Sequence, residues 1–157
     1  MSSMFRSPWV ARDRTGRIAL DLPDGLVAAL PRLGDEVESL LNSDSPAIQR
    51  LFPTAYPDDP ERDAGYQAMV RGELIDRHRD GIALIAATID DEYLTEEQLG
   101  AWLTTVNALR LVLGAVLDIS DDGAEPDLDE DDPLLPAWQM YHVLSLLLDD
   151  IVSALSS

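Results

Sequence analysis

Apolar residues recur along most of this chain at intervals of three and four, and at intervals of two only near its start. After Pro23 the recurrence runs through Leu26, Leu30, Leu33, Val37, Leu40 and Leu41; further on it runs through Leu99, Leu103, Val106, Leu109, Leu113 and Val116. Near the end it runs through Trp138, Tyr141, Leu144, Leu148, Ile151 and Leu155. Such spacing places one apolar stripe along a helix, so these stretches predict helices turned toward a shared core. In contrast, Trp9-Val-Ala-Arg and Arg17-Ile-Ala-Leu-Asp-Leu flank the turn-forming Asp13-Arg-Thr-Gly16 and predict a β-hairpin within residues 5–22. A two-stranded hairpin is marginal alone, so it must lie on the helical body or pair with a second copy.

Prolines, glycines and caps set the boundaries. Pro31 is expected to kink or divide the first helix, and Ser45-Pro46 opens a short one through Ala47 to Leu51. The segment Phe52-Pro-Thr-Ala-Tyr-Pro-Asp-Asp-Pro60 reads as a rigid connector. Asp59 can cap, Pro60 suits a first turn, and Glu61 and Asp63 complement a helix start, which predicts a long helix from Pro60 to about Thr88. Gly65, Gly72 and Gly81 are weak points in it. Thr95-Glu-Glu-Gln98 matches a capping box for a helix reaching Leu117, and the last helix follows Asp132-Pro133. No repeat and no sustained heptad accompanies these elements. The fold class they predict is mainly α, an irregular bundle of four to five helices with a small N-terminal β-hairpin. Residues 1–157 form one domain on this reading: hairpin 5–22, helical body 23–117 and 133–156, and a mobile acidic loop 118–132.

A chain of 157 residues with 46% hydrophobic and 26% charged residues can bury a core of its own. It has no cysteine, which removes disulfides, thiolate metal sites and cysteine nucleophiles from consideration. Its start, Met1-Ser-Ser-Met-Phe-Arg-Ser-Pro, lacks the pattern of a signal peptide, and its most apolar run, Leu109 to Leu117, is short and contains Arg110. The expectation is a cytoplasmic protein with no membrane span.

Charge narrows the partners. The net charge is −19, and all 11 basic residues are arginine. Nine of the 30 acids lie between Asp118 and Asp132, leaving 21 against 11 arginines, so the rest of the chain still stands at −10. Such a body repels nucleic acid, and direct DNA binding is expected to be absent or weak. The exception is residues 1–17, where Arg6, Arg12, Arg14 and Arg17 face Asp13 alone.

Asp118, Ser120, Asp122 and Asp129 fall at ligand positions of a calcium-binding loop, with Gly123 at its turn. Glu125 and Pro126 break the pattern, and Asp129 is too short for the bidentate glutamate. A solvated linker with diffuse cation attraction is therefore the expectation, and no metal or cofactor is assigned. His78 and His142 have no ligand spacing, and no Gly-x-Ser-x-Gly elbow or phosphate-binding glycine loop is present. This absence of reactive constellations points away from an enzyme.

Two groups remain as partner-binding candidates. Asn107, Arg110 and Gly114 form a narrow polar and small stripe on one helix. It reads either as a half-buried Arg110 paired with a carboxylate beside a close helix approach at Gly114, or as an arginine-anchored groove. Arg50, Phe52 and Tyr56 form an aromatic-arginine group in the connector, either exposed or plugging one end of the bundle.

Three segments together carry a family resemblance. Arg50-Leu-Phe-Pro-Thr-Ala-Tyr-Pro-Asp-Asp-Pro-Glu61, Trp102-Leu-Thr-Thr-Val-Asn-Ala-Leu-Arg-Leu-Val-Leu-Gly114 and Tyr141-His-Val-Leu-Ser-Leu-Leu-Leu-Asp-Asp-Ile-Val152 resemble the AosR-like actinobacterial family, a domain-of-unknown-function family. The resemblance implies a cytoplasmic regulator associated with oxidative-stress transcription and encoded near sulfur or cysteine metabolism genes. A cysteine switch proposed within that family has no thiol to act on in this sequence. The expected function is a non-enzymatic regulator that docks onto another protein, such as a sigma factor or other transcription component. Two alternatives stand beside it: a metal- or small-ligand-responsive sensor using the acidic loop, and a structural homodimer through the hairpin edge.

Overall fold

The computed structural model describes residues 6–41, 43, 45–49, 51–52, 54–117 and 130–157, with the backbone alone at Gln49. The candidates Arg50, Asp118, Ser120, Asp122 and Asp129 lie outside the described residues. Among those described, the order is β1 (Val10–Arg12), β2 (Ile18–Leu20), α1 (Asp24–Leu40), α2 (Pro46–Gln49), α3 (Pro60–Thr88), β3 (Tyr93–Leu94), α4 (Glu96–Val116) and α5 (Leu135–Leu155). The fold is mainly α, with five helices and one small sheet.

The hairpin forms where alternation predicts it. Strands β1 and β2 pair antiparallel with Val10 opposite Leu20 and Arg12 opposite Ile18, and Val10, Ile18 and Leu20 turn into the core. Gly16 takes the left-handed conformation at φ 86° in the turn, and the Asp13 carboxylate accepts from the Thr15 hydroxyl and from the amides of Thr15 and Arg17. Chiefly through the Thr15 hydroxyl bond, this network holds the Asp13 carboxyl below its ordinary value. The sheet has a third strand that the pattern does not announce: β3 pairs antiparallel with β2, Ile18 opposite Leu94 and Ala19 opposite Tyr93. The hairpin thus lies on the helical body, and the outer edge of β2 is completed from within the same chain.

Helix α1 is not divided at Pro31: of the kink or division expected there, the division does not occur. Leu26, Leu30, Leu33 and Val37 are buried on both sides of the proline as one face, and this packing sustains a continuous helix despite the donor that proline lacks. Helix α3 has the bounds its caps predict, with the Asp59 side chain accepting from the Arg62 amide. The capping box of α4 is complete: the Gln98 amide donates to Thr95 Oγ1 at 3.0 Å, and the Thr95 amide donates to Gln98 Oε1 at 2.9 Å.

Helix α4 is central and packs against α1, α2, α3 and α5. Its Leu99, Trp102, Val106 and Leu109 meet Leu144, Leu147 and Ile151 of α5 in the core. By length and composition alone α4 could cross a membrane, but half of its apolar window is buried inside the protein, as in a core helix. Close approach fixes its neighbours. A methyl group added at Gly34 of α1 would lie 2.8 Å from Ile82 of α3, and one at Gly81 of α3 would collide with the Thr105 hydroxyl of α4. The first half of α3 differs, since its first buried residue is Ile75.

Candidate protein-docking face

The stripe read from α4 meets a matching row on α5. Leu134 and Trp138, Tyr141, Ser145, Leu148 and Val152 of α5 are spaced by four and three, which sets them on one side of the chain's last helix. Helices α4 and α5 pack side by side, and Arg110 joins them: its Nε donates to Ser145 Oγ at 2.7 Å, while its guanidinium carbon lies 4.7 Å from the Tyr141 ring centre. Ser145 donates in turn to the Tyr141 carbonyl at 3.0 Å, and the Trp138 ring meets the Tyr141 ring edge-on at 6.2 Å between centres.

This places a half-buried arginine between a half-buried tyrosine ring and a hydroxyl, with a half-buried tryptophan on the far side of the tyrosine. Leu103 and Leu148 form an apolar floor packed on the core, Asn107 is exposed one turn before Arg110, and Leu134 and Val152 stand exposed at the two ends. Arginine, tryptophan and tyrosine at a partly desolvated centre make up the composition that carries most of the energy at protein interfaces. An aromatic, arginine-anchored surface can bind a macromolecule. It offers no converging acid, base or nucleophile. Sequence reasoning found Asn107 and Arg110 here and turned Trp138, Tyr141 and Leu148 toward the core; Tyr141 and Leu148 do pack against it, but all three stay half-buried, a distinction periodicity does not draw.

The connector candidates lie elsewhere. Phe52 is buried and plugs the bundle, with its ring edge-on to His78 at 6.5 Å and the Arg71 guanidinium 4.5 Å from its centre. Tyr56 is half-buried against α3, edge-on to Tyr66 at 5.9 Å with Arg62 stacked at 4.4 Å. His78 is half-buried, and burial followed by the charge of Arg77 lowers its pKa from the ordinary 6.5.

Three arginines of the basic arm, Arg6, Arg12 and Arg17, are engaged within the chain, Arg6 and Arg17 at its surface. Arg6 pairs with Asp150 at 3.1 Å and stacks on Trp9, while Arg12 pairs with Glu96 at 2.6 Å and donates to the Ala154 carbonyl at the end of α5. Arg17 stacks on Tyr93 at 3.6 Å. Around these groups lies an open depression of about 410 Å³ lined by Arg12, Arg17, Tyr93 and Glu96, whose arginines are already engaged. Among the described residues, no three histidine or acidic side chains converge to hold a metal ion.

A family model described as a domain of unknown function, DUF2017, matches residues 6–155. The oxidative stress regulators AosR of Mycobacterium tuberculosis and of Mycobacterium bovis are each 32% identical to this chain over 127 residues, covering 70% of it and 58% of the relative. The chain thus spans 58% of the length of these relatives. No solved structure matches it.

Proposed function

We propose a non-enzymatic regulator acting by protein contact, from one premise: the chain belongs to the DUF2017 family. Relatives named as oxidative stress regulators support a regulatory role at the level of the family, and the resemblance to AosR-like proteins holds along most of the chain. On this reading the α4/α5 face receives a partner protein of the transcription apparatus in the cytoplasm, with Arg110 and Tyr141 at its centre. The observation that carries the reading is the Arg110–Tyr141–Ser145 cluster, half-exposed on rigid helices with apolar residues at both ends.

Electrostatics favours protein over DNA. A body at −10 outside the acidic stretch repels phosphate, and Arg6 and Arg12 of the basic arm are paired with Asp150 and Glu96. The test is capture from native cells with the wild-type chain and with Arg110→Ala and Tyr141→Ala, each shown by circular dichroism to be folded. One partner should be held by the wild type and lost from both variants. Equal retention by all three, or tight sequence-selective binding of duplex DNA by the purified protein at physiological salt, would overturn the reading.

A further inference from the structure

Helix α3 carries a surface that no other described residue covers. The connector packs on one side of its first half: Asp63 accepts from the amides of Ala55 and Tyr56, and Arg71 donates to the Ser43 carbonyl and stacks on Phe52. On the opposite side Gly65, Met69, Gly72 and Asp76 follow one another at intervals of four and three, the spacing of a helix–helix seam, with Arg62 at its margin, stacked on Tyr56 of the connector. Met69 in its middle is 83% exposed, more than any other large hydrophobic residue described. A methyl group added at Gly65 or Gly72 would meet nothing within 4 Å, whereas Gly34 and Gly81 each face a side chain of a neighbouring helix. Close packing within the chain accounts for Gly34 and Gly81 and leaves Gly65 and Gly72 unaccounted for.

The charges along the seam specify what fits it. Asp59 and Glu61 flank its beginning, Arg77 and Arg79 flank its end, and Arg62 at its margin precedes Met69 while Asp76 follows. A second α3 laid antiparallel, Met69 crossing Met69, sets Glu61 opposite Arg79, Asp59 opposite Arg77 and Arg62 opposite Asp76, each pair twice by symmetry. Parallel packing would set like charges together. Two molecules at −19 repel each other, so self-association requires local complementarity of this kind.

We propose that the protein self-associates through antiparallel packing of α3 on the α3 of a second copy, with Met69 on the twofold axis. The twofold runs between the two long helices and leaves the hairpin edge and the α4/α5 face uninvolved.

The absence of cysteine makes the test direct, because Met69→Cys gives the chain one thiol and places it on the axis. Under mild oxidation the purified Met69→Cys protein should convert to a disulfide-linked dimer roughly tenfold faster or more than a Val152→Cys control, since pre-association raises the effective thiol concentration. In sedimentation the cysteine-free protein should be dimeric, Glu61→Arg should dissociate it, and Glu61→Arg combined with Arg79→Glu should restore the dimer. A monomer at every concentration, equal cross-linking of the two cysteine variants, or a dimer indifferent to the charge reversals would overturn the proposal.

Discussion

Trp102 donates its indole N–H to the Thr88 hydroxyl at 2.9 Å with both residues buried, and Thr88 donates in turn to the Leu84 carbonyl at 2.7 Å. The last residue of α3 is thereby tied to the largest fully buried side chain of α4. Replacing Thr88 by valine keeps the shape and removes the acceptor, stranding a buried donor, which costs about 1–3 kcal/mol. Serine at the same position keeps the hydroxyl and loses a methyl, about 0.8 kcal/mol. Urea denaturation with an unchanged slope should rank valine below serine below the wild type. A valine variant as stable as the wild type would show that the bond contributes nothing.

Asp150 holds the amino-terminal arm on α5. Its carboxylate accepts the Trp9 amide at 2.8 Å and two bonds from Arg6 at 3.1 Å. Asp150→Ala leaves the Trp9 N–H unpaired and is expected to cost about 1–3 kcal/mol. Arg6→Ala removes an ion pair whose arginine is a third exposed and should cost under about 1 kcal/mol. Hydrogen exchange at Val10 to Arg12 should accelerate more in the aspartate variant. Equal effects would place the stabilisation in the ion pair instead of the backbone bond.

Much of this arrangement was legible in the sequence because local chemistry decides it. The Asp59-Pro60 start of α3 and the Thr95/Gln98 box of α4 are short-range devices, and both helices begin where those residues predict. The undivided course of α1 through Pro31 was not legible, since tertiary burial of Leu30 and Leu33 overrides a local signal. Strand β3 was missed because two residues carry no alternation, and Tyr93 and Leu94 become a strand only when Ala19 and Ile18 lie beside them. The docking face was half legible. Arg110 and Asn107 stand out on an apolar helix, but Ser145 and Tyr141 become their neighbours only when α4 and α5 pack, and a linear pattern does not specify that crossing.

Glycines on the helices should divide by what lies above them. Alanine at an open helical position gains about 1 kcal/mol over glycine, and at Gly100 nothing lies within 4 Å of the added methyl. Gly100→Ala should therefore stabilise the protein by about that amount. At Gly81 the methyl would collide with the buried Thr105 side chain, so overpacking of about 1–3 kcal/mol cancels or reverses the gain. Thermal melts of both variants check the sign. Gly81→Ala as stable as Gly100→Ala would mean that α3 and α4 can part without cost.

His78 should make stability depend on pH with a sign set by its surroundings. Burial, and then the charge of Arg77, lowers its pKa in the folded state below the 6.5 of the unfolded chain. As pH falls from above 7 through about 6.5, the unfolded state takes up a proton that the folded state refuses, so stability declines. The decline ends below the folded pKa, where both states carry the proton. His78→Gln removes this contribution while leaving the carboxylates, which titrate lower, in place. The difference in unfolding free energy between wild type and variant should therefore shift against the wild type between pH 7.5 and 5.5. Proton NMR of the His78 ring provides a readout independent of folding: its midpoint should fall below 6.5, and a midpoint at or above that value would show that the ring is solvated and that Phe52 does not shield it.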